Sequence, residues 1–225
     1  MINRIISKFQ FLLLKRNVVS FEQLRRKQTF KNFDEKIISQ SKKFLKPFYD
    51  QYVREISRPD MATSLELAAT LYSICKVNQF SKLLDLGSGF SSFVFRKHSK
   101  LNANVIVYSV DDDTRWLGKT REYLIDSSVS ADNLMTLSEF IDSNENQFDI
   151  VLLDLNFVEV RKNYIKLVID RCKIGGLIFF DDVHKQEFMT EVLSQASNLP
   201  VDIFDVKNCT LDEFGRFAVV AIKKK

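Results

Sequence analysis

Six short apolar runs recur through the last two thirds of this chain: KLLDL (82–86), VIVYSV (105–110), DIVLLDL (149–155), GLIFF (176–180), VDIFDV (201–206) and FAVVAI (217–222). They are nearly unbroken rather than alternating, which is how strands buried on both faces read. Helical stretches, beginning with LELAATLYSICK after Ser64, separate the earlier runs. Alternation of this kind predicts an α/β fold, a mostly parallel sheet with helices on both faces. Only about ten residues separate the last two runs, too few for a crossover helix, so an antiparallel C-terminal hairpin is expected at the sheet edge.

Charge divides the chain. Residues 1–58 carry 14 Lys/Arg against 5 Asp/Glu, while the remainder carries 19 against 24. The division predicts a basic, helical N-terminal extension over 1–58 and a main domain over 59–225, with Ser57-Arg58-Pro59-Asp60 as the linker. The first 21 residues hold no acid, and Ile2, Ile5, Ile6, Phe9, Leu12 and Leu13 recur at helical spacing between basic residues. This is the pattern of a basic amphipathic helix, one that packs on its own domain, touches a membrane surface or serves as an organelle transit peptide. A second helix is expected over 33–57, broken near Pro47. No apolar run approaches the ~18 residues of a membrane span. Cys75, Cys172 and Cys209 lack CxxC spacing and read as buried thiols in a reducing, cytoplasmic setting.

In an open parallel sheet, ligands bind beyond the carboxyl ends of the strands. Here those ends are acidic: Asp85, then Asp111-Asp112-Asp113, then Asp154, then Asp181-Asp182. The first strand runs into LLDLGSG, a turn through Gly87, Ser88 and Gly89 that opens a helix. A dinucleotide turn wants GxGxxG, but Ser92 stands third here; a GxxxxGK[ST] phosphate loop is absent. S-adenosylmethionine suits the stretch better, since its ammonium can meet a carboxylate and loop carbonyls. Asp111 lies roughly the ~20 residues further on at which an acid meets ribose hydroxyls in nucleotide folds.

The ordered set LLDLGSG, VYSVDDDTRW, FDIVLLDL and GGLIFFDDVH, over about residues 60–225, resembles the class I S-adenosylmethionine-dependent methyltransferases. The resemblance implies a Rossmann-like seven-stranded sheet and assigns the cofactor to Asp85, Gly87, Ser88, Gly89, Asp111, Asp112 and Trp116. Asp85 would line the methionine end, Asp111 hold the ribose, and Trp116 or a neighbour cover the adenine. The family's usual third turn glycine falls at Ser91. Asp154, Asp181 and Asp182 resemble the magnesium ligands of the catechol O-methyltransferase type, with Asp182 in place of an Asn. Hard oxygen ligands of this kind suit Mg²⁺ or another divalent cation. The lysine base of metal-dependent relatives is replaced by Phe157, which leaves His184 as the leading base, beside Asp154 and Asp182 as catalytic acids.

Arg161 and Lys162 stand close enough to Asp154 to meet an acidic substrate, or are the solvated start of a helix. His98, between Lys97 and Lys100, reads as surface. The expected activity is O-methylation of a small-molecule or glycan hydroxyl, with divalent-metal assistance as an option. Two alternatives remain open: an RNA or protein methyltransferase using the basic extension, and a non-catalytic cofactor-binding protein. A nucleic-acid partner is disfavoured because strand-end carboxylates repel phosphates.

Overall fold

The computed structural model describes residue 11 and residues 14–225. Most of the expected amphipathic helix, from Ile2 to Leu13, therefore lies outside the described residues. Among the described residues eight strands form one sheet: β1 (Val18–Val19), β2 (Lys82–Leu86), β3 (Ile106–Asp111), β4 (Leu134–Thr136), β5 (Phe148–Leu153), β6 (Cys172–Phe180), β7 (Val201–Asp205) and β8 (Val219–Lys223). Their order is β1-β7-β8-β6-β5-β2-β3-β4. β2 to β6 pair in parallel, and β8 lies antiparallel to both β6 and β7.

The expected mostly parallel sheet and C-terminal hairpin are thus present, with one strand more than expected. Val18 and Val19 pair in parallel with Ile203 and Phe204, so the extension is not wholly helical. The physical reason is the edge: β7 would otherwise present a row of unpaired backbone groups, and two β-branched residues cover it.

Among the described residues, ten α-helices and one 3-10 turn (Gln28–Phe30) accompany the sheet: α1 (Phe21–Leu24), α2 (Glu35–Glu55), α3 (Leu65–Val77), α4 (Phe90–Ser99), α5 (Thr114–Asp126), α6 (Leu137–Asp142), α7 (Val158–Lys162), α8 (Ile165–Arg171), α9 (Gln186–Ala196) and α10 (Lys207–Thr210). Asp34 caps α2 by accepting from the Ile37 amide at 2.8 Å. The break anticipated at Pro47 does not occur, and α2 continues to Glu55. Pro47 and Lys43, whose carbonyl loses its helical partner, both lie on the exposed side, where water is available.

The period-two alternation of the central strands builds a core on each face. Leu84, Leu86, Val151, Leu153, Ile178 and Phe180 point to the side covered by α8 and α9. Leu83, Ile150, Leu152, Leu177 and Phe179 point to the side covered by α3, together with Leu24, Phe30 and Phe33 of the extension. Each fully buried side chain of this size contributes roughly 1.5–3 kcal/mol. The extension is therefore built into the core, and it leaves the carboxyl ends of β2, β3, β5 and β6 clustered at one rim. No helix among the described residues is long and apolar enough to cross a membrane.

Candidate active site

At the end of β2 the chain turns through two glycines in conformations that side chains rarely adopt. Gly87 has φ +111°, and a Cβ there would lie 2.1 Å from the Asp154 carbonyl oxygen. Gly89 has φ +155°, and its Cβ would lie 2.9 Å from the Tyr52 hydroxyl of α2. The glycines therefore let the turn pass between the end of β5 and the extension. Ser92, where a dinucleotide loop has glycine, accepts from the Gly89 amide at 3.1 Å. Its hydroxyl also donates to Asp85 Oδ2 at 2.5 Å, and Ser91 donates to the same oxygen at 3.1 Å.

Asp85 thus departs from its expected place. It is 0 % exposed, does not line the cavity above, and serves as an anchor for the two serine hydroxyls under the turn. Strand parity explains this, since Asp85 shares a face with Leu83. Burial pushes its carboxyl up to about 7, against the serine hydrogen bonds.

The cavity over the turn has a volume of about 380 Å³ and is bounded by Gly87, Ser88, Gly89, Asp111, Asp113 and Trp116 on the sheet side. Tyr52, Ser57 and Arg58 of the extension and Met61, Ala62 and Thr63 complete it, with Asp154, Asn156 and Arg161 at one end. Asp111 Oδ2 accepts from the Ser88 amide (2.7 Å) and hydroxyl (2.8 Å), and Oδ1 accepts from the Asp113 amide at 3.0 Å. Burial raises its pKa, while these donors oppose the rise. Trp116 Nε1 donates to the Ser88 carbonyl at 2.7 Å. Asp112 is exposed and lies off the cavity wall, contrary to its expected role. Its neighbour Asp113 lines the cavity and caps α5 through the Arg115 and Trp116 amides. Tyr52 was not singled out by sequence, and Asp113 was read only as one of the strand-end acids, with no role of its own; an Asp immediately before a helix is at least a recognisable cap signal.

A second cavity, of about 260 Å³, adjoins the first and shares Met61, Ala62, Asp154 and Arg161 with it. Its far wall carries Asp181, Asp182, His184 and Lys185, with Phe214 and Arg216 at the rim. Arg216 fixes this rim by donating to the Pro59, Asp60 and Ala62 carbonyls at 2.8, 2.9 and 3.1 Å. Asp154 is pushed up to about 6 by burial, with the Arg161 charge opposing. Asp181 is raised further above the carboxylate range by burial and the adjacent Asp154 and Asp182 charges. For Asp182 burial acts upward too, but Arg161 and Lys185 bring it below its ordinary value.

Asp182 also holds a left-handed backbone, φ +60°, a conformation that in a residue with a side chain recurs at functional sites. His184 is lowered, mainly by partial burial, so its imidazole is neutral at pH 7. Its Nδ1 lies 3.6 Å from Asp182 Oδ1, and both atoms are buried without a hydrogen-bond partner.

The three carboxylates expected to hold a divalent cation do not form a metal centre. Arg161, only 4 % exposed, places Nη2 2.8 Å from Asp154 Oδ1 and Nη1 3.3 Å from Asp182 Oδ2. Among the described residues, His, Cys, Asp and Glu side chains form no group of three able to hold a metal. Arg161 is thus not the solvated start of a helix but is paired with these carboxylates, and Lys162 is occupied by Glu159 and Glu187. Phe157 is 66 % exposed beside the site. His98 proves buried rather than superficial, in edge contact with the Tyr72 ring. Cys75 and Cys172 are buried and Cys209 only partly so; all three are free thiols.

No family model and no curated protein sequence matches the chain. Solved structures do. The O-methyltransferase TomG from Streptomyces achromogenes, in complex with S-adenosylmethionine, is 16% identical with a TM-score of 0.61, over 85% of this chain and 91% of that one. An O-methyltransferase from Bacillus cereus, bound to S-adenosylhomocysteine, is 11% identical with a TM-score of 0.59, over 85% and 92%. A Podospora anserina methyltransferase bound to S-adenosylhomocysteine is 12% identical with a TM-score of 0.57, over 84% and 88%. The fold is that of the class I S-adenosylmethionine-dependent methyltransferases.

Proposed function

We propose that this chain is an S-adenosylmethionine-dependent O-methyltransferase acting on a hydroxyl of a small molecule or glycan, without a catalytic metal. One observation carries the reading: the larger cavity, built on the glycine turn, and the smaller, polar cavity meet across Asp154 and Arg161. Two ligands held on either side of that wall are adjacent.

The larger cavity falls within the 300–1,000 Å³ range of small-molecule sites and fits the cofactor. Two glycines leave room for close approach, Asp111 offers carboxylate oxygen to the ribose hydroxyls, and Trp116 offers a ring face to the adenine. When bound, S-adenosylmethionine supplies an electrophilic methyl group.

The remaining work belongs to the chain. Asp182 Oδ1 and His184 Nδ1 are two acceptors 3.6 Å apart with no donor between them. An acceptor hydroxyl satisfies this need by donating to one or both. Neutral His184, with its proton on Nε2, takes the hydroxyl proton at Nδ1 as the oxygen becomes a nucleophile, and Asp182 stabilises the imidazolium that results. Asp154 orients the wall through Arg161 and the Thr63 hydroxyl, which donates to it at 3.1 Å. Met61 and Phe214 give the mouth an apolar edge that suits the C–H face of a ring or sugar.

The test is calorimetry with S-adenosylhomocysteine, followed by a panel of hydroxylated small molecules and sugars assayed for methyl transfer. Binding of S-adenosylhomocysteine with turnover of a hydroxyl acceptor is expected. Tight NAD binding with no response to S-adenosylhomocysteine would end the reading.

A further inference from the structure

Arg161 makes more contacts to the acidic rim than any other side chain there. Its Nε donates to the Leu155 carbonyl. Nη1 reaches the Asp181 carbonyl at 3.4 Å and Asp182 Oδ2 at 3.3 Å, and Nη2 reaches Asp154 Oδ1 at 2.8 Å. A guanidinium has five N–H bonds in a fixed fork and stays charged at any working pH. Four are accounted for, and the fifth, on Nη2, belongs to a side chain that lines both cavities. The carboxyl ends of β5 and β6 therefore already share a cation, covalently part of the chain.

We infer that Arg161 is a built-in substitute for a divalent ion: its guanidinium bridges Asp154 and Asp182, the latter also paired with Lys185, keeps metals out, and gives its remaining Nη2 N–H to the acceptor's oxygen. The last element rests on the methyl-transfer reading, whereas the exclusion of metal does not. A single fixed positive charge differs from Mg²⁺ in a measurable way. It cannot be chelated, and it cannot chelate two neighbouring hydroxyls of one acceptor through a shared ion. The site would accordingly take isolated hydroxyls as readily as vicinal pairs.

Direct binding of Mn²⁺, followed by electron paramagnetic resonance, tests the exclusion. Wild type should take up no Mn²⁺ at the rim and should be indifferent to EDTA. Lys185 also pairs with Asp182, at 2.9 Å, so Arg161→Ala/Lys185→Ala leaves the carboxylates without either cation and should acquire one Mn²⁺ site, lost again when Asp182→Asn is added. Mn²⁺ bound by wild type and released by Asp182→Asn would overturn the inference, as would a folded Arg161→Ala/Lys185→Ala that binds none. Should the alanine variant fail to fold, Arg161→Lys decides by the opposite sign, because a charge in the same place must still keep Mn²⁺ out.

For the acceptor contact, Arg161→Lys should raise acceptor KM about tenfold or more, the loss for a hydrogen bond to a charged group. An unchanged KM removes that part. S-adenosylhomocysteine affinity of wild type, measured in parallel, reports on the methyltransferase reading by itself.

Discussion

The two cavities at the sheet rim are built on opposite principles. Around the glycine turn, the polar groups that face the cavity satisfy one another: Ser88 and Asp113 occupy Asp111 and Trp116 holds the Ser88 carbonyl, while beneath the wall Ser91 and Ser92 occupy Asp85 Oδ2 and leave its Oδ1 without a partner. At the ends of β5 and β6 the groups are charged, mutually constrained by Arg161, and still short of partners at Asp182 Oδ1 and His184 Nδ1. A preorganised wall suits a ligand that must always be held in one way. A wall with unmet hydrogen bonds suits a group whose protonation changes during turnover.

The harshest way to break this contrast is to push the two halves apart. Gly87→Ala places a Cβ on the Asp154 carbonyl in a backbone conformation unfavourable to alanine. It should cost at least about 4 kcal/mol in urea unfolding, in the range reserved for severe packing errors, and abolish S-adenosylhomocysteine binding.

His184→Ala comes next and should separate the cavities functionally. Turnover should fall by about 10²–10⁴-fold, as for a lost general base, while calorimetry shows S-adenosylhomocysteine affinity unchanged. The converse substitution is smaller. Asp111→Ala should lose about 1.5–3 kcal/mol of cofactor affinity, whereas Asp112→Ala, at the exposed neighbour, should lose none. Equal losses at both positions would mean that the cavity wall has been drawn one residue off.

The smallest effect concerns pH. Asp85 has a folded pKa of about 7, well above its unfolded value, so the folded state binds the extra proton between about pH 4 and 7. Its contribution to stability is complete below that window and is lost as pH rises through 7. Thermal melts of wild type and Asp85→Asn from pH 5 to 8 should show the wild type losing ground steadily; parallel curves would contradict the assignment.

How much of this was legible depends on how local the signal was. β2, β5 and β6 are buried on both faces, so they announce themselves as unbroken apolar runs, and the glycine turn is contiguous in sequence. Asp85 was misjudged because its position at a strand end suggested the rim, although its parity with Leu83 points it to the helix-covered face. Arg161 was placed near Asp154 by sequence, but its pairing was unreadable for a different reason. Its partners Asp154 and Asp182 lie 7 and 21 positions away, just past the ends of separate strands, and the residue looks like any basic residue in a helix's last turn. β1 is two valines long, too short to register beside a basic segment with helical spacing.

The pairing of Val18–Val19 with Ile203 and Phe204 joins segments 185 positions apart. During synthesis the strand it covers emerges only 185 positions after Val18. The N-terminal valines, and the Leu24, Phe30 and Phe33 packed behind them, must wait for β7 and α3 before their final environment is assembled. Closing so long a loop is slow relative to local helix formation. The last event in folding is therefore expected to be the docking of the first strand. Until then, the outer edge of the hairpin stays open to pairing with another copy of the chain.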